Sequence, residues 1–84
     1  MEKHIVGATA GRDRLIHVRF SDLTTKVVDV APLLSGPAFA ILRDDDRAFR
    51  ALHVDPVLRT VCWPGELDLA PETLAALPDV GVSA

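Results

Sequence analysis

Three histidines, one cysteine and a run of three aspartates are the residues of this 84-residue chain with which chemistry would have to be done. His4, His17 and His53 fall on three different expected strands, and none has a Cys or His at ligand spacing. His17 and His53 take the outward parity of their strands, so they can share one sheet face. Outward strand histidines are mostly solvated, and that plainer reading weighs more. Cys62 lies between Val61 and Trp63, with no base beside it to lower its pKa; it reads as a small core residue. Asp44, Asp45 and Asp46 offer three carboxylates that point in different directions, without the glycine and distal glutamate of a calcium loop. A helix cap explains them better. The sequence has no Ser-His-Asp order, phosphate-binding glycine loop or dinucleotide fingerprint. The expectation is a protein that is not an enzyme, with no catalytic residue, metal site or cofactor.

Charge is more informative. Net charge is −3, yet residues 1–43 carry six Lys/Arg against four Asp/Glu, and residues 44–84 carry three against eight. Arg12, Arg14, Arg19 and Lys26 crowd the first hairpin and form a candidate basic surface. Four such charges give only a weak, salt-sensitive phosphate contact, and no aromatic platform accompanies them. Nucleic acid is therefore not expected as a ligand of this chain alone. The acidic half, with Glu66, Asp68 and Glu72 at its centre, suits a basic protein partner, because complementary fields steer association. The alternative is a DNA-associated regulatory domain acting as a dimer or through a partner.

Eighty-four residues make one domain, here residues 1–78 with a tail at 79–84, and its core is mostly Val, Leu and Ala. So small a core has little stability to spare, which favours a homodimer or another partner. A single cysteine excludes an internal disulfide and fits a reducing cytoplasm. No segment approaches the roughly 20 apolar residues of a membrane span, and the N-terminus lacks a signal peptide's apolar run. A cytoplasmic protein without membrane contact is the expectation.

The positioning elements follow from periodicity. Lys3–Thr9, Asp13–Phe20 and Thr25–Val30 read as three antiparallel strands; in the second, Ile16, Val18 and Phe20 alternate with Leu15, His17 and Arg19. Residues 37–50 read as a helical connector broken at the aspartates. Ala51–Asp55 and Thr60–Trp63 form a second hairpin, Pro64-Gly65 ends it, Glu66–Asp68 is an acidic loop, and Pro71–Leu77 is a closing helix. The fold class is α+β. Trp63, Phe20, Val18, Leu52, Val54, Val61 and Leu74 are the expected core, with Trp63 contributing the largest apolar surface.

The succession VRFSDLTTKVVDVAPLL, GPAFAILRDDDRAFRALHVD and TVCWPGELDLAPETL resembles the small bacterial family known as domain of unknown function 2442, over roughly residues 3–77. Trp63-Pro64 followed by Asp68-Leu69-Ala70-Pro71-Glu72 is its most specific part. The resemblance implies a compact α+β domain with a meander-type sheet and supplies no catalytic residues. Some members continue into a helix-turn-helix segment, for which a chain ending at Ala84 has no room. Others resemble small proteins encoded beside a partner in a toxin–antitoxin-like arrangement. Glu66 departs from the small polar residue that many members place after the glycine.

Overall fold

The computed structural model describes residues 4–81. Lys3, at the head of the first expected strand, and residues 82–84 of the tail lie outside the described residues. Three strands, β1 (Ile5–Ala10), β2 (Leu15–Phe20) and β3 (Thr25–Asp29), form an antiparallel sheet in that order. The alternation along β2 dictates its orientation. Ile16, Val18 and Phe20 are buried, while His17 and Arg19 are exposed. Register carries the division across the sheet: Ala8 and Lys26 flank Val18 on the inner face, and Gly7 and Thr25 flank Arg19 on the outer. A bulge between Ile5 and Gly7 leaves Val6 unpaired and half exposed. The β2–β3 turn closes on three residues, the last of which, Leu23, takes a left-handed φ of 73°.

Two 3₁₀ turns, Ala31–Leu33 and Pro37–Phe39, lead to α1 (Ala40–Asp44) and α2 (Asp46–Arg50). The connector breaks at Asp45, whose carboxylate accepts the N–H groups of Arg47 and Ala48 as the cap of α2. The expected α+β fold is observed, with one element added. Beyond β4 (His53–Val54) and β5 (Val61–Trp63), the segment expected as an acidic loop is a strand, β6 (Leu67–Leu69), so the second antiparallel sheet is also three-stranded. Pro64 opens the turn, and Gly65 and Glu66 take left-handed φ values of 95° and 65°. Leu67 and Leu69 can then face the core on either side of Asp68. An alternation of three residues is too short to register as a period. The closing helix α3 (Pro71–Ala76) stops one residue sooner than expected, because Leu77 precedes Pro78 and is extended.

The sheets meet where the Ile5 N–H donates to the Arg59 carbonyl at 2.9 Å, and the connector helices cover the shared interior. Trp63 is 2% exposed, its indole N–H donates to the Phe49 carbonyl at 2.8 Å, and the two rings lie 5.9 Å apart. Val18, Phe20, Val61 and Leu74 join it as expected, whereas Leu52 and Val54 are only half-buried at the margin. Ile5, Ile16, Val28, Val30, Leu34, Leu42, Phe49 and Leu69 complete the core.

Candidate functional site

The outer face of the second sheet is assembled from residues far apart in sequence. Cys62 pairs with His53 on one side and Asp68 on the other, so the three form a cross-strand row opposite the core-facing row of Val54, Val61 and Leu69. Side chains so paired are immediate neighbours. Asp55 belongs to the same face and sits within electrostatic reach of both His53 and Cys62. Its side chain accepts the N–H groups of Val57 and Leu58 at 2.8 and 2.9 Å, which hold its carboxyl below the usual 3.8 and keep it charged.

The thiol of this row is raised rather than activated. Burial pushes the Cys62 thiol above its ordinary 9.0, the Asp55 and Asp68 charges push it further, and the thiol donates to the Thr60 carbonyl at 3.6 Å. A thiol so placed stays protonated at neutral pH, the opposite of what a nucleophile requires. His17 and His53 do not share a face as the parity allowed. They lie on different sheets, because the hairpin carrying each pairs within itself. Among the described residues, no three His, Cys, Asp or Glu side chains converge in a way that would hold a metal ion.

The predicted acidic residues divide. Asp68 stands in the row beside Cys62, and Glu66 projects from the turn two residues earlier; both are exposed. Glu72 is exposed on the first turn of α3, and among the described residues no hydrogen bond or ion pair joins it to either. The acidic face is thus Asp55 and Asp68, with Glu66 on the adjoining turn and Glu72 on a separate element. From the sequence alone, Asp55 reads only as a turn former. The Asp-Pro pair gave its structural role, and nothing local revealed that β5 would carry its charge beside Asp68.

The basic set divides more sharply. Arg14 turns inward: its guanidinium donates to the Arg43 carbonyl at 2.8 Å and to Asp46 at 3.3 Å, and it lies 4.9 Å from the centre of the Phe49 ring. Its Nε is buried without a hydrogen-bond partner, a position that stacking over the ring makes tolerable. Lys26 lies on the core side of β3 and donates its ammonium to the carbonyls of Ala75 and Leu77, closing the end of α3. Only Arg12 and Arg19 of the four remain exposed on the surface. The missed signal for Lys26 was its parity with Val28, which places it on the inner face.

The family model described as protein of unknown function (DUF2442) matches residues 5–77. The chain belongs to that family. The DUF2442 match begins at the first residue of β1 and ends one residue past α3, so both sheets and the acidic row lie within it. No curated protein and no solved structure matches the chain. Among the described residues, no helix of this DUF2442 chain is long and apolar enough to cross a membrane.

Proposed function

We propose that the chain is a non-catalytic interaction module of the cytoplasm that regulates a basic protein partner, bound at the open face of the second sheet. The observation that carries this reading is the gathering of Asp55 and Asp68 about Cys62, with Asp55 held ionised by backbone N–H groups and Glu66 exposed on the turn that leads into the strand of Asp68. The surrounding chemistry supports it, since the one thiol on that face is kept protonated. A genetically linked partner, in the toxin–antitoxin-like arrangement that the family resemblance suggests, is the setting this reading favours. Two of the four charges behind a DNA-binding alternative are engaged inside the protein, which weakens that alternative.

Association kinetics test the proposal. Against the basic protein that co-purifies with the chain, reversing Glu66 and Asp68 to Lys should slow association at least tenfold at low salt, and less at high salt. Glu72→Lys, on its separate element, should have the smaller effect. Unchanged rates without salt dependence in the double variant would defeat the acidic-face reading.

A further inference from the structure

The outer face of the first sheet is a trough of about 640 Å³, within the size range of small-molecule sites. Its floor is set by register. Arg19 and His17 stand on the central strand with small neighbours beside them: Gly7 and Thr25 flank Arg19, and Thr9 and Val27 flank His17. One wall is Val6, turned outward by the bulge in β1. The other is the segment from Asp79 to Gly81, fixed against β3. The Val80 N–H donates to the Val27 carbonyl, and the Asp79 carboxylate accepts the N–H groups of Val27 and Gly81. Gly81 packs so closely on Val27 that a Cβ there would lie 2.4 Å from its methyl group.

The charges lining the trough are unequal in availability. Lys26 borders the trough, but its ammonium is turned to the core side and committed to the end of α3, and Asp79 is committed to two backbone N–H groups. Arg19 has no hydrogen-bond or ion-pair partner among the described residues, leaving its planar fork of donors open. We propose that this trough binds a small organic carboxylate with an apolar body. Arg19 grips the carboxylate in the two-pronged geometry that guanidinium and carboxylate share, the Thr25 hydroxyl beside it supplies a further donor, and Val6 and Val27 receive the apolar part. An added peptide strand is a poor occupant, because the backbone of Val27 at the β3 edge is already paired with the Asp79–Gly81 segment. Among the described residues, a nucleic acid would meet one free cation and no Phe, Tyr or Trp ring in the trough, too little for backbone binding.

Hexanoate is a suitable probe, with hexan-1-ol as its uncharged counterpart, in an amide NMR titration of the whole chain. Saturable shifts confined to β1, β2, β3 and residues 79–81 are expected for hexanoate, with at least tenfold weaker binding of hexan-1-ol. R19Q should weaken hexanoate at least tenfold while amides outside the first sheet keep their positions. R12Q, at a turn outside the trough, should bind as the parent does, and so should the E66K/D68K variant. Equal binding of acid and alcohol, or undiminished binding by R19Q, would overturn the proposal. So would trough shifts that follow protein concentration without ligand, since they would show a second copy of the chain as the occupant.

Discussion

The two sheets have the same strand count and opposite means of support. Strands of five or six residues give the first sheet long ladders, broken only by the bulge at Val6, and a full inner face from Ile16 to Phe20 and from Val28 to Val30. The second is built from strands of two or three residues, too short to stand on their hydrogen bonds alone. Its order comes from side chains. Trp63 is anchored to the Phe49 carbonyl, the Thr60 hydroxyl donates to the Leu69 carbonyl, and Asp55 ties down the loop before β5. The exposed faces differ as well: Asp55 and Asp68 lie on the second, and Arg19 stands on the first without an ion-pair partner among the described residues. A sheet that supports itself can leave its open face hollow, whereas the tryptophan-anchored sheet displays charge over a buried row.

Removing the anchor should expose that difference most strongly. Trp63→Ala is expected to cost about 3–5 kcal/mol, through lost burial and a cavity beside Phe49. That is a large share of the stability of so small a domain. Urea unfolding followed by amide exchange measures it. Amides of β4, β5 and β6 should lose protection before those of β2. Uniform loss across both sheets would show that the second is no more dependent on its tryptophan than the first.

Acid should separate the sheets by a smaller margin. Asp55 and Asp79 both sit below the usual 3.8, chiefly because backbone N–H groups donate to them: Leu58 and Val57 to the former, Gly81 and Val27 to the latter. A depressed carboxyl contributes stability that is present above its unfolded value and is lost as pH falls through its folded value. Stability should therefore decline as pH drops below 3.8. Asp55→Asn should flatten that decline more than Asp79→Asn, because its loop also holds the Arg59 carbonyl that joins the sheets at Ile5. Equal flattening in urea melts at pH 3 and pH 6 would place the acid-sensitive contacts evenly between the sheets.

The same contrast explains what could be read from the sequence. The first sheet announced itself because six alternating residues suffice to show a period, and β2 fell where Ile16, Val18 and Phe20 placed it. Asp45 was legible as a cap because capping is a local bond. β6 was not legible, since only Leu67 and Leu69 carry its pattern, and the acidic row was not, since it depends on three strands pairing in register. Arg14 and Lys26 looked like surface charge because their acceptors are backbone carbonyls at Arg43, Ala75 and Leu77, distant in sequence. Composition cannot reveal that kind of partner.

The smallest effect concerns the turns. Each sheet closes a hairpin with a non-glycine residue in left-handed conformation, Leu23 in the first and Glu66 in the second. Asparagine visits that region at lower cost, so L23N and E66N should each raise stability by about 0.5 kcal/mol, measured in urea. The two gains have different expected consequences. Leu23 is 79% exposed and lies far from Glu66 in sequence and on the other sheet, so L23N should leave partner association unchanged. E66N removes the charge beside the acidic face that the proposed partner would meet, and should slow association while stabilising the fold. A residue whose replacement helps folding and harms binding is held in place by the surface it serves. Were E66N to associate at the parent rate, Glu66 would be a strained turn residue alone, and the partner would meet only Asp55 and Asp68.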